Sequence, residues 1–133
     1  MAAPIRVKRI DHVTFVCKDM EASRKFYADV LGMDEVPRPG FKFPGLWFQA
    51  GTTQIHLIGE HPESGPASVF IPEECAISRT RHVAFEVDDA MAARDRLVEL
   101  GIEIQAGPKN RPDGPIQLYV FDPDRNLVEL YSM

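Results

Sequence analysis

The sequence predicts an α+β fold made of two copies of one β-α-β-β-β module. The stretch at 9–15, RIDHVTF, returns at 79–85 as RTRHVAF, with a histidine at the same place in both copies. The segment 54–58, which closes the first half, has its counterpart in 127–131. Each half also carries one amphipathic segment of helical period after its first strand. A duplicated module therefore accounts for nearly the whole chain.

The first half opens with an alternating strand, in which Val13 and Phe15 point to one face and His12 and Thr14 to the other. Asp19 is placed to cap a helix that follows at about 20–31. The Pro-Gly segment after this helix excludes regular helix. We expect the remaining strands of this half at about 41–43, 46–50 and 54–58.

The second half repeats this order, with a strand at 82–87 and a helix at about 90–100 that begins after Asp88-Asp89. Gly101 is placed to end the helix. We expect the remaining strands at about 102–104, 117–121 and 127–131. The last two form a hairpin over the turn DPDRN at 122–126, and the Pro-Gly-rich stretch 105–115 is expected to be a loop.

These boundaries predict one domain over 1–133. Module one covers about 8–58, a linker covers about 59–78, and module two covers about 79–132. The linker is rich in Pro, Gly, Ser and Glu and is not expected to join the core. A module this short buries little surface alone, so the two modules are expected to pack together or to exchange between chains.

The composition excludes several classes of function. A net charge of −5 leaves no basic surface of the kind that nucleic acid requires. No apolar run is long enough to span a membrane, and the N-terminus lacks the apolar core of a signal peptide. The two cysteines do not form a disulfide framework. We therefore expect a cytoplasmic protein that binds neither nucleic acid nor membrane.

Four polar residues interrupt the apolar strands at related points of the repeat: His12, His56, His82 and Glu129. In each strand the neighbouring apolar residues point to the opposite face, so all four side chains are expected on one concave face. A buried carboxylate such as Glu129 is costly without a partner, and a divalent cation would remove that cost. Three imidazoles and one carboxylate suit one Zn, Ni, Mn, Fe or Co ion per site. His61, in the linker, is expected to be solvated.

The same residues resemble the vicinal oxygen chelate superfamily. The resemblance rests on the repeated module, on the strand-borne histidine in RHVAFEV at 81–87, and on the closing motif DPDRNLVEL at 122–130. It implies a curved mixed sheet, a half-barrel around a metal, which holds a small substrate by two vicinal oxygens. It also implies a homodimer, in which each site can take the ligands of module one from one chain and those of module two from the other.

The leading function that the resemblance implies is a glyoxalase-like lyase or isomerase. His12, His82 and Glu129 match the metal ligands of most metal-using members. His56 stands where glyoxalase I has Glu and the epimerases have Gln, so it is a fourth candidate ligand. Glu129 and His56 are the candidate catalytic residues, because a histidine can also move a proton.

Three alternatives stay open. Fosfomycin-modifying members have counterparts of Thr14, Tyr119 and Lys109 that contact substrate or a cation. Extradiol dioxygenases use a triad of two histidines and one carboxylate with iron. Bleomycin-resistance members bind their ligand without metal. Independently of these, we expect Trp47, Phe48 and Tyr119 to line a pocket, with core packing as the alternative for Phe48. Arg125 occupies a turn position where many relatives have Gly, so the turn either avoids positive φ or accepts strain.

Overall fold

A computed structural model describes residues 2–133; Met1, the first residue of the predicted domain, lies outside them. Eight strands form two separate four-stranded mixed sheets. The strands of the first sheet are β1 (His12–Cys17), β2 (Asp34–Val36), β3 (Gly45–Ala50) and β4 (Thr53–Gly59). Those of the second are β5 (Val83–Glu86), β6 (Ile104–Asn110), β7 (Ile116–Phe121) and β8 (Leu127–Ser132).

Strand order confirms the predicted duplication. The first sheet has the order β1-β4-β3-β2 and the second β5-β8-β7-β6, with one parallel pair and two antiparallel pairs in each. Neither sheet closes into a barrel. Among residues 2–133, no helix combines the length and hydrophobicity of a membrane span.

Both predicted helices form, and aspartates cap them as expected. Asp19 accepts hydrogen bonds from two backbone N–H groups of α1 (Met20–Arg24), and Asp89 does the same for α2 (Ala90–Glu99). After α1 the chain continues as a π-helix over Lys25–Val30. The predicted helix therefore exists, although half of it has the wider π-helical hydrogen bonding.

Two strand positions differ from the prediction. The short strand of the first module is Asp34–Val36, which pairs with β3, whereas 41–43 contains no strand. Prolines on both sides of 41–43 cannot donate the ladder hydrogen bonds that a strand there would need. In the second module β6 begins later than predicted and runs through Asn110, across much of the expected loop. Its register shifts twice against β7, which is how the strand accommodates Gly107 and Pro108.

The helix-facing sides of the two modules contribute to one hydrophobic cluster. It contains Phe26, Tyr27, Phe48 and Ile55 from the first module and Leu97, Leu118, Val120, Val128 and Leu130 from the second. The linker is expected to lie outside the core, but the structure differs in part: Ala67 and Ile71 are buried. Ile71 packs with Tyr119 and Leu127 in a second, smaller cluster.

A buried aspartate in the β7–β8 turn connects the modules. Asp122 accepts hydrogen bonds from the Tyr27 hydroxyl at 2.8 Å and from the backbone N–H groups of Asp124 and Asn126 at 2.9 and 2.8 Å. It also accepts one from the Asn126 side chain at 2.9 Å. Arg125 within this turn has φ of 65°, so the turn accepts the strain of a non-glycine residue.

Candidate metal centre

The first module stacks three rings on one face of its sheet. The imidazoles of His12 and His56 lie 4.0 Å apart between centroids, with 13° between their planes. Trp47, directly opposite His56 in the β3–β4 register, stacks on the other side of His56 at 3.9 Å and 1°. Thr14 pairs with His56 in the parallel β1–β4 register, so this predicted substrate contact lies beside the stack.

Hydrogen bonds orient both imidazoles. His12 Nδ1 lies 2.8 Å from a carboxylate oxygen of Asp11, and His56 Nε2 lies 2.8 Å from the amide oxygen of Gln54. Both oxygens accept, so these two nitrogens carry the protons, and in the neutral rings His12 Nε2 and His56 Nδ1 keep the lone pairs. The hydrogen bond from His12 is also the main reason why the pKa of Asp11 is lowered.

The stack restricts how these two histidines can bind a metal. A nitrogen lone pair lies in the plane of its ring, and a bound Zn²⁺ lies about 2.1 Å from that nitrogen. Two nearly parallel rings therefore cannot both point at one ion. Chelation by both requires one imidazole to rotate. His12 is the more exposed ring, whereas His56 is buried between His12 and Trp47.

The second module pairs an imidazole with a buried carboxylate. Glu129 is only 5% exposed, and its Oε1 accepts a hydrogen bond from the Tyr119 hydroxyl at 2.7 Å. His82 Nε2 lies 3.2 Å from the same oxygen. Burial, followed by the hydrogen bond to Glu129, raises the pKa of Tyr119 to about 12, so this hydroxyl remains a donor.

The hydrogen bonds of His82 show which ring nitrogen carries its proton, and they leave a place for a cation between His82 and Glu129. His82 Nδ1 lies 2.7 Å from the backbone oxygen of Thr80, which can only accept, so Nδ1 carries a proton. In the neutral ring Nε2 then points a lone pair at the Glu129 carboxylate, and two acceptors face each other. Either a second proton on the imidazole or a metal ion satisfies both groups. A ring oriented by a backbone oxygen is also typical of metal-binding histidines.

A single chain does not join these two pairs. Within residues 2–133, no three side chains of His, Cys, Asp or Glu are grouped so that they could bind one ion. His12 meets His56, and His82 meets Glu129, but the pairs lie on different sheets. The sequence left two arrangements open, one within a single chain and one shared between two chains. Among residues 2–133 of one chain, the four residues do not gather at one point.

The remaining predicted substrate contacts, Lys109 and Tyr119, lie in the second module. Lys109, expected in a mobile loop, lies in β6 opposite Gln117, while Tyr119 contacts Glu129 directly. Arg38, which the sequence reading missed, lies with its guanidinium carbon 4.9 Å from the ring centroids of both Phe41 and Phe43. The run RPGFKF, which alternates cations and aromatic residues, was the signal for it.

His56 should make stability depend on pH. Burial lowers the pKa of His56 below its usual value near 6.5, and the proximity of His12 adds to this. The unfolded chain then binds more protons than the folded chain, so stability should fall as the pH drops below about 6.5. Thermal midpoints measured from about pH 8 to pH 5 should decline less for His56→Gln than for wild type. His61→Gln, at an exposed position of the linker, is the control; an equal decline in all three proteins would contradict the assignment.

Comparison with known proteins gives a consistent result. A family model described as the Glyoxalase/Bleomycin resistance protein/Dioxygenase superfamily matches residues 9–130. An ethylmalonyl-CoA/methylmalonyl-CoA epimerase from Cereibacter sphaeroides is 30% identical, over 93% of this chain and 97% of the relative. Glyoxylase I 4 from Arabidopsis thaliana is 28% identical, over 96% of this chain and 72% of the relative. The crystal structure of a glyoxalase/dioxygenase from Nostoc punctiforme has a TM-score of 0.73 and 28% identity, over 99% of this chain and 95% of that one.

Proposed function

Because this chain belongs to the Glyoxalase/Bleomycin resistance protein/Dioxygenase superfamily, we propose that it is a divalent-metal enzyme of the glyoxalase-like lyase or isomerase class. Its substrate would be a small molecule bound through two vicinal oxygens. Relatives named as a glyoxylase and as an epimerase support this class.

The observation that carries the proposal is the contact between His82 and Glu129. A nearly fully buried carboxylate faces an imidazole nitrogen whose proton lies on the other side of the ring. Such a carboxylate requires a compensating positive charge, which either a metal ion or a second proton on His82 would provide. Zn, Ni, Mn, Fe or Co would supply that charge and would accept imidazole and carboxylate together.

We further propose that the complete site forms in a module-exchanged homodimer. β1 and β5 are the edge strands next to the two half-sites, and each is hydrogen-bonded to another strand on one side only. An unpaired edge is a ready surface for another chain. If β1 of one chain lies against β5 of the other, His12 and His56 meet His82 and Glu129 of the partner subunit. The helix-facing sides of the modules already share a core within one chain, which favours exchange.

A bound metal would stabilise negative charge that develops on a substrate oxygen. Residues of the chain would transfer the proton to or from the substrate. His56 suits this task because burial keeps its imidazole neutral near pH 7 and leaves the lone pair on Nδ1. Trp47 and Gln54 hold that ring in place by stacking and by a hydrogen bond. The Tyr119 hydroxyl holds the Glu129 carboxylate in the same way.

Metal content tests the proposal. Wild-type protein should retain about one divalent transition metal per protomer by elemental analysis after dialysis. Glu129→Gln keeps the shape of the side chain and an acceptor for Tyr119 but loses the charge. This variant should therefore retain at most about a tenth of the wild-type amount of metal. His61→Asn, the matched histidine outside the site, should retain the wild-type amount. A wild-type protein that neither contains nor takes up these metals would refute the proposal and point to a metal-free binding protein.

His56→Ala separates the two roles of this residue. If His56 is a proton carrier held in the ring stack, His56→Ala should keep its metal but lose turnover. If His56 is a ligand, metal and turnover should fall together. The two outcomes are read from elemental analysis and activity on the same preparation.

A further inference from the structure

The loop between β2 and β3 differs in character from the rest of the chain. Residues 37–44, PRPGFKFP, contain two cations and no acid, although the whole chain has a net charge of −5. Two of its aromatic side chains face solvent, with Phe41 47% and Phe43 44% exposed. Their rings stack on each other at 5.2 Å. Exposed aromatic pairs of this kind are typical of ligand-binding surfaces.

The guanidinium of Arg38 lies on the same face of the sheet as the ring stack. A Cβ atom on Gly45 would lie 2.8 Å from both Nε and Nη2 of Arg38. Gly45 has the same strand parity as Trp47, so its missing side chain would point to the face that carries Trp47 and His56. A Cβ atom there would also meet the backbone oxygen of Leu57 at 2.5 Å, and its absence leaves room for the guanidinium at this face.

Arg38 is held by groups that do not neutralise it. Nη2 donates a hydrogen bond to the backbone oxygen of Phe43 at 2.9 Å, and the rings of Phe41 and Phe43 flank the guanidinium. Within residues 2–133, no carboxylate lies at ion-pair distance from it. A planar, preoriented guanidinium with donors to spare is the group that best binds a carboxylate through two hydrogen bonds.

A continuous aromatic strip links this cation to the candidate metal ligands. Phe43 stacks on Phe41, whose centroid lies 6.3 Å from that of Trp47. Trp47 stacks on His56, which stacks on His12. The aromatic strip thus consists of Phe43, Phe41, Trp47, His56 and His12, with Arg38 at its outer end.

We propose that the aromatic strip and Arg38 select a planar aromatic substrate that carries a carboxylate. The carboxylate would bind the Arg38 guanidinium, and the aromatic ring would lie against Phe41 and Trp47. The inference rests on the proposed function in one respect, since the vicinal oxygens of the substrate would reach the metal at the His12 end. Neither an aliphatic acid nor a neutral aromatic compound uses both features of this surface.

The single tryptophan of the chain is Trp47, so quenching of its fluorescence reports binding at this surface. Three probes, titrated into protein from which metal has been removed so that no ion competes for the carboxylate, separate ring from charge: phenylglyoxylate has both, pyruvate lacks the ring, and 2-hydroxyacetophenone lacks the charge. Phenylglyoxylate should bind about tenfold more tightly than either of the others, which corresponds to one charge-assisted hydrogen bond or more.

Variants assign the selectivity to particular residues. Arg38→Gln should weaken phenylglyoxylate binding about tenfold and leave 2-hydroxyacetophenone binding unchanged. Lys42→Gln removes the same charge from the same loop and should have little effect, because Lys42 has no place in the strip. Phe41→Leu should weaken binding of both aromatic probes about threefold or more. Phe70→Leu, at an exposed phenylalanine of the linker, is its control.

Two results would overturn the inference: equal affinity for the three probes, or equal effects of Arg38→Gln and Lys42→Gln. Elemental analysis of the untreated protein distinguishes it from the proposed function. Selectivity for phenylglyoxylate in a protein that binds no metal would refute the metal enzyme and support the aromatic strip. A protein that binds metal but lacks that selectivity would support the metal enzyme and refute the role of the aromatic strip.

Discussion

A one-to-one mixture of His12→Ala and Glu129→Ala chains, refolded together, is expected to bind about a quarter of the metal that wild type binds, although each variant alone binds almost none. Random pairing makes about half of the dimers mixed. In a module-exchanged dimer, one site of each mixed dimer receives both substitutions and the other receives neither. The recovered metal therefore comes from one intact site in every mixed dimer.

A second mixture provides the control. His82→Ala and Glu129→Ala both lie in the second module, so every site of their mixed dimer carries one substitution and no metal should be recovered. Light scattering should give a dimer mass for all of these proteins. A cross-module mixture of dimers that recovers no metal would show that each chain builds its own site.

Asp122→Ala is expected to lower the free energy of unfolding by about 3–5 kcal/mol. The carboxylate accepts four hydrogen bonds, and one of them comes from the buried Tyr27 hydroxyl of the other module. Alanine leaves the hydroxyl and two turn N–H groups without partners in the interior. Since small domains are stable by about 5–15 kcal/mol, the loss should be visible as a large fall in the urea midpoint.

Two other variants define the origin of this effect. Tyr27→Phe removes one of the four donors and should cost about 1 kcal/mol, since the remaining three still satisfy Asp122. Asp113→Ala removes an exposed aspartate that pairs with Arg111 and should leave the urea midpoint nearly unchanged. If Asp122→Ala unfolds at the same urea concentration as Asp113→Ala, the buried carboxylate does not connect the modules as described.

Local patterns predicted the elements that local chemistry governs. Asp19 and Asp89 each precede an amphipathic segment, and each caps a helix in the structure. Alternation within the strands placed His12 opposite in phase to Val13, and β1 has that parity. These features depend on residues a few positions apart, so a single sequence contains the information for them.

Features that depend on distant partners were predicted less well. β6 was expected to be a loop over much of its length because of Gly107 and Pro108, yet β7 pairs with it around two register shifts. The position of the Arg38 guanidinium over the sheet depends on Gly45, which leaves room for it. Neither fact follows from the periodicity of one segment, because each requires a neighbour that only the folded chain supplies.

The sequence by itself determined the duplicated module and, through strand parity, the face of the sheet on which the candidate residues of each module lie. The adjacency of the first and last strands, which the structure supplies, pairs His12 with His56 and His82 with Glu129. The tertiary structure alone decided that the two pairs stay apart in one chain. The reason is that the modules associate through their helix-facing apolar sides and the Tyr27–Asp122 hydrogen bond, contacts between distant segments that no local pattern encodes.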